Sequence, residues 1–168
     1  VNYKVFILCS VLGGVPFFGI SQNSIREAID KYNSNTVEYL SVEELAALIE
    51  GNKEVKLLDA RETSEYEISH LQDAIFVGYG NFEMTSIQDK IQTQDTLVVY
   101  CSIGVRSEQI GEKLKKEGYV NVYNLYGGMF EWFNKGYKIY DHKNNSTQKI
   151  HAYDRFWGEF LERGQKVY

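Results

Sequence analysis

The sequence predicts an α/β domain with a mostly parallel central sheet and helices on both faces. Three observations carry that reading. Short apolar runs recur along the chain: VKLLDAR at 55–61, AIFVG at 74–78, TLVVYC at 96–101 and NVYNLYGG at 121–128. Stretches with helical periodicity or capping signals separate them. Runs such as TLVV are apolar at successive positions, as in strands buried on both sides, and strands alternating with helices make parallel sheets. The chain has 168 residues, 43% of them hydrophobic and 24% charged, enough for one domain with its own core. Its net charge of −5 gives no electrostatic reason to expect nucleic acid or an anionic membrane as partner.

The first 21 residues, VNYKVFILCSVLGGVPFFGIS, differ from the rest. One positive charge (Lys4) precedes an apolar run from Val5 to Ile20, and Gly19 and Ser21 are spaced as at a cleavage site. That layout predicts a secretory signal peptide and an exported protein, periplasmic in a Gram-negative host. The alternatives are a membrane anchor at 5–20 or a buried element. A run this short, broken by Pro16 and glycines, falls below the roughly 20 residues of a bilayer span. Most of the apolar run follows Cys9, which argues against a lipid-anchored cysteine. With a cleaved signal Cys101 is the remaining thiol, and no disulfide can form within the chain.

Residues 22–40 read as an N-terminal extension, a short amphipathic helix and a linker. In SVEELAALIEG, Ser41 and Glu44 have capping-box spacing, Leu45, Leu48 and Ile49 share a face, and Gly51 stops the helix. After the strand at 55–61, ETSEYEISHL is a short helix or turn leading to the strand at 74–78. NFEMTSIQDKIQTQD is a polar connection with helical character. A helix from Ser107 to Lys116, with Gly118 placed to end it, follows the strand at 96–101. GGMFEWFNKG is a final short helix. The tail, 141–168, turns aromatic at Tyr153, Phe156, Trp157 and Phe160, and is expected to pack back on the domain as a helix.

The chemistry points to CSIGVRS, 101–107. Ligands of an open α/β sheet bind beyond the carboxyl ends of its strands, and Cys101 stands at such an end. Gly104 permits the sharp turn into the next helix. Backbone N–H groups of Ser102, Ile103, Gly104, Val105 and Arg106 would point inward as an anion nest, with the helix start and the Arg106 charge beside it. Those features lower a thiol's pKa. The bland reading is a buried cysteine closing a strand, a surface Arg106 and an ordinary N-cap at Ser107.

Cys101, Gly104, Arg106 and Ser107, in the pattern Cys-x-x-Gly-x-Arg-Ser, resemble the active-site loop of the rhodanese family of sulfurtransferases. LLDAR with Asp59 and Arg61, EYEISHLQDA with Glu65, Tyr66, His70 and Ala74, and LYGGMFEWFNKGY with Gly127, Gly128, Trp132 and Gly136 are similar to three further blocks of that family, in the same order. The sequence departs at Ser69-His70-Leu71-Gln72-Asp73-Ala74, where the family has Gly-His-Ile-Pro-Gly-Ala, and at Tyr137, where many relatives have proline. Both departures bear on turn geometry.

The resemblance implies a three-layer rhodanese-like domain over about 41–140 and a two-step sulfur transfer without a cofactor or metal. The Cys101 thiolate takes sulfane sulfur from a small anionic donor such as thiosulfate. It passes the sulfur from a persulfide to a thiol or cyanide acceptor. Residues 102–106 would cradle the persulfide, Arg106 would bind the donor's oxygens, and Ser107 would cap the helix and donate one more bond. Asp59 and Arg61, at a strand end on the ligand side, are expected to support the site as an ion pair or hydrogen-bond network rather than act in catalysis. His70 and Trp132 are expected to be structural, and His142 and His151 lack metal-ligand spacing. Asn144 and Asn145 each begin a glycosylation sequon.

Two other classes compete. A phosphatase or arsenate reductase also sets an arginine beyond a loop cysteine, but with five residues between them rather than the four here, Ser102 to Val105. A rhodanese-like binding module or persulfide carrier would engage a protein partner, for instance through the aromatic tail.

Overall fold

A computed structural model describes residues 24–168. The expected signal peptide at 1–21 lies outside the described residues. The chain forms helix α1 (Ile25–Tyr32), strand β1 (Glu38–Leu40), α2 (Val42–Glu50), β2 (Val55–Asp59), α3 (Thr63–Ile68) and β3 (Ile75–Phe76). There follow β4 (Thr96–Tyr100), α4 (Val105–Lys116), β5 (Asn121–Leu125) and α5 (Gly128–Asn134). Strands β1 to β5 make one parallel five-stranded sheet in the order β1-β5-β4-β2-β3.

Alternation along the strands gives the sheet two buried faces. Val98 and Tyr100 of β4 and Leu57 of β2 pack with α2 (Val42, Leu45) and α5 (Met129, Phe130, Phe133). The interleaved Leu97, Val99 and Leu58 pack with Ile110 and Leu114 of α4 and with Phe82, Ile87 and Ile91. Successive side chains point to opposite faces of a strand, so a continuously apolar strand serves both layers. This is the expected α/β class with helices on both sides.

Four expectations change. The segment 22–40 does more than lead to the domain, because β1 is an edge strand of the sheet, paired with β5 from Glu38 to Leu40. The connection after β3 makes only a single 3₁₀ turn at Met84–Ser86. There the Ser86 hydroxyl donates to the Glu83 carbonyl at 2.7 Å, a side-chain bond that competes with helix continuation. Helix α4 starts at Val105, so Gly104, with φ +109°, is its N-cap and Ser107 lies inside the first turn. Glycine takes this left-handed cap conformation without the cost a side chain would incur.

The tail packs on the domain as strands, not as the expected helix. β6 (Ile139–Tyr140) and β7 (Ser146–Thr147) form a hairpin. The Asp141 carboxylate holds its turn by accepting from the backbone N–H groups of Lys143 (2.8 Å) and Asn145 (2.9 Å). β8 (Lys149–His151) then pairs in parallel with β9 (Gln165–Val167), and a 3₁₀ turn spans Trp157–Phe160. Ile150 and Ala152 are buried two residues apart, a strand's period rather than a helix's, and Phe160 and Leu161 join the same core.

Candidate active site

Cys101 follows the last residue of the central strand β4, and its side chain is buried. The thiol accepts from the Gly104 backbone N–H at 3.2 Å and faces the Ser107 hydroxyl at 3.5 Å. Asn124 orients that hydroxyl, its Oδ1 accepting from Ser107 Oγ at 2.7 Å. The same amide donates through Nδ2 to the Gly104 carbonyl at 2.8 Å, and Asn33 Nδ2 donates to that carbonyl at 2.9 Å. β5 and the end of α1 thus clamp the glycine that turns the loop.

The second support is α5. The backbone N–H groups of Met129 and Phe130 in its first turn donate to the carbonyls of Cys101 (2.9 Å) and Ser102 (3.0 Å). Gly128 makes this approach possible: a Cβ there would lie 2.4 Å from the Cys101 carbonyl oxygen, and its φ is +54°.

Arg106 is not a free surface cation. Its two terminal nitrogens donate to the Glu65 carboxylate at 2.6 and 2.8 Å, and Nη2 also donates to Ser102 Oγ at 3.0 Å. Ser102 Oγ donates to Glu65 Oε1 at 3.0 Å. Burial favours the neutral form of Glu65, but hydrogen bonds and charge from Arg106, backed by Arg61 and the Glu62 N–H, bring its pKa down to about 2. The expectation gave Arg106 an open fork for donor oxygens. Here the two terminal nitrogens are engaged by Glu65 and Ser102, and donor oxygens would have to share the guanidinium with that carboxylate.

Burial raises the Cys101 pKa; the Arg106 charge, the Ser107 hydroxyl and N–H, and the Gly104 N–H outweigh it, and the net shift is downward. A consequence is measurable. Glu65 stays ionised throughout the range in which a thiol titrates, so one group governs the pH profile. The thiolate is the reactive form, and its lowered pKa keeps it populated at lower pH. Alkylation of Cys101 by iodoacetamide should have its midpoint below that of an ordinary free thiol measured alongside, and Arg106→Gln should move it up. A midpoint at or above the ordinary value in the unmodified protein would show that burial wins.

The expected residues divide clearly. Cys101, Ser102, Ile103, Val105 and Arg106 line one cavity of about 180 Å³, while Gly104 and Ser107 stand behind the thiol. Asp59 and Arg61 lie outside that cavity. They form a fully buried pair at the end of β2, with Asp59 opposite Tyr100 in the register. His70 bridges to Tyr140 through the backbone and stacks on Tyr66 with ring centres 4.1 Å apart. Trp132 is buried, its indole N–H donating to the Lys138 carbonyl at 2.9 Å.

Sequence reading missed Glu65 as a site residue, together with Asn33 and Asn124. It also missed Tyr153 and Trp157, which complete the cavity wall from the tail. Asn124 left a trace, a polar residue among the apolar positions of β5 that is fully buried. A buried amide needs partners and marks a network.

A family model for the rhodanese-like domain matches residues 41–135, and the chain belongs to that family. The chain is 27% identical over 103 residues to YrkF of Bacillus subtilis, a candidate sulfur carrier protein by its name, covering 61% of this chain and 55% of that protein. It is 34% identical over 113 residues to the tRNA uridine(34) hydroxylase of Aster yellows witches'-broom phytoplasma, covering 65% of this chain and 36% of that protein. The chain thus spans about half or less of the length of these curated relatives. The crystal structure of a thiosulfate sulfurtransferase from Pseudomonas aeruginosa superposes with a TM-score of 0.57 at 24% identity, over 62% of this chain and 20% of that one, a likeness of fold.

Proposed function

We propose that this protein is a sulfurtransferase that carries sulfane sulfur as a persulfide on Cys101. The observation that supports it most is the thiol at the end of β4, with an N–H donor at 3.2 Å, a hydroxyl at 3.5 Å and a pKa held down partly by Arg106. The thiolate attacks the outer sulfur of a donor, of which thiosulfate is the simplest, and sulfite leaves. The persulfide sits where preorganised donors stabilise its charge. A thiol or cyanide then attacks the outer sulfur and frees the Cys101 thiolate. Family membership and a relative named as a candidate sulfur carrier support the same chemistry, and a protein acceptor would turn the enzyme into a relay.

Intact mass tests it. Fully reduced protein treated with excess thiosulfate or inorganic polysulfide should gain one sulfur atom, and cyanide should remove it as thiocyanate. No gain from either donor would overturn the proposal.

A further inference from the structure

The cavity at Cys101 has two walls of different origin. One is the loop, with Ile103 and Val105. The other is Tyr153 and Trp157, which lie in the tail beyond the span 41–135 matched by the family model. The tail wall is anchored, although Tyr153 itself is half-exposed. Tyr153 has φ +66°, its N–H donates to His151 Nδ1 at 3.0 Å, and its ring lies over the Arg106 guanidinium at 5.0 Å. Trp157 packs edge-on to Tyr32 of α1 at 5.7 Å and against buried Phe160 at 5.7 Å.

These walls decide what can sit beside the sulfur. Arg106 is the cation lining the cavity, and Glu65 neutralises it while Tyr153 covers one face. A small dianion entering there would lose hydration and would meet, among the described residues lining the cavity, only a cation already paired with Glu65, whose carboxylate stands close by. An uncharged alkyl group gains instead, about fourfold in affinity for each methylene removed from water. At about 30 Å³ per water-sized group, the 180 Å³ cavity holds roughly six heavy atoms.

We propose that Tyr153 and Trp157 make this site selective for sulfane sulfur carried on a short uncharged organic group, an alkyl persulfide, over small multiply charged donors such as thiosulfate. This rests on the sulfurtransferase reading above and specifies its donor. In the step, the Cys101 thiolate attacks the outer sulfur of R–S–SH. A bond forms between Cys101 Sγ and that sulfur, the R–S to S bond breaks, and its electron pair leaves on R–S⁻. The proton of the outer sulfur passes to the leaving thiolate, giving R–SH and the Cys101 persulfide anion. The sulfane sulfur keeps its oxidation level, so no external oxidant or reductant takes part.

The test is the second-order rate of sulfur gain on Cys101, followed by intact mass under single-turnover conditions. The donors are n-butyl persulfide, with six heavy atoms, and thiosulfate, and Cys101→Ala provides the background. Wild-type protein should favour n-butyl persulfide by at least about tenfold. Tyr153→Ala and Trp157→Ala should each cut that ratio at least about fivefold, while Trp157→Phe retains most of it. Because the ratio compares two donors on one protein, loss of folded protein cancels. A wild-type ratio at or below unity, or one unmoved by both alanine variants, overturns the inference and leaves the sulfurtransferase reading standing. Absence of gain from both donors overturns both.

Discussion

Cys101→Ala is expected to abolish sulfur uptake and turnover, by at least about a thousandfold, while the protein stays folded. The activity loss follows because, among the described residues, Cys101 is the thiol at the site that can form the covalent intermediate. The Ser107 hydroxyl lies 3.5 Å from the sulfur, but it donates to the Asn124 amide oxygen, which is no base. The structural cost is smaller. The substitution removes one sulfur atom and the acceptor of the Gly104 N–H, worth roughly 1–2 kcal/mol together. The loop keeps its other anchors, the Met129 and Phe130 N–H groups on the carbonyls of Cys101 and Ser102 and the two asparagines on Gly104. Turnover and thermal unfolding measured on the same sample separate the two effects. Sulfur transfer persisting in the variant at more than about a hundredth of the normal rate would assign the chemistry elsewhere.

The contrast between Cys101 and Glu65 shows what a sequence can disclose. Cys101, Gly104 and Arg106 share one short loop, and their spacing is a local property written in consecutive residues. Glu65 reaches Arg106 across 41 residues and Asn33 reaches Gly104 across 71, partnerships that exist only once β2, β4 and α1 are in place. The sheet was legible because burial on both faces imposes a pattern on each strand, and β4 carries it most fully. The tail was not. Its aromatic residues suggested an apolar helical face, whereas its geometry depends on the Asp141 turn and the pairing of β8 with β9, which local periodicity does not encode. Ser107 illustrates a finer limit. It is a good N-cap residue type, but Gly104 is required for the turn itself and takes the cap, which moves Ser107 inward to face the thiol.

Breaking the Asp59–Arg61 pair is expected to give the largest loss of stability. Both side chains are fully buried, with Arg61 Nη2 2.6 Å from Asp59 Oδ2 and Nε 2.9 Å from Oδ1. Burial opposes the Arg61 charge, but Asp59 outweighs it and holds the guanidinium firmly protonated. Arg61 also donates to the Ser69 carbonyl at 2.6 Å, tying the end of β2 to the chain that leaves α3. Asp59→Leu leaves an unpaired guanidinium in the interior, and Arg61→Leu leaves an unpaired carboxylate. Each should cost about 3–5 kcal/mol, read as a fall in Tm of about 10 °C or more. Removing both charges removes the reason for the penalty. The double variant should therefore recover a large part of either loss, to within about 2 kcal/mol of wild type. The residue of the cost would come from the Ser69 carbonyl, which loses its donor, and from the Arg61 backbone N–H, which loses its Asp59 acceptor at 3.1 Å. Chemical denaturation of the four proteins closes this cycle. Single variants costing less than about 1 kcal/mol, or strictly additive losses in the double variant, would show that the two charges do not depend on each other. Arg61 would then act through Ser69 alone, fixing the segment that carries Glu65 to Arg106 without help from Asp59.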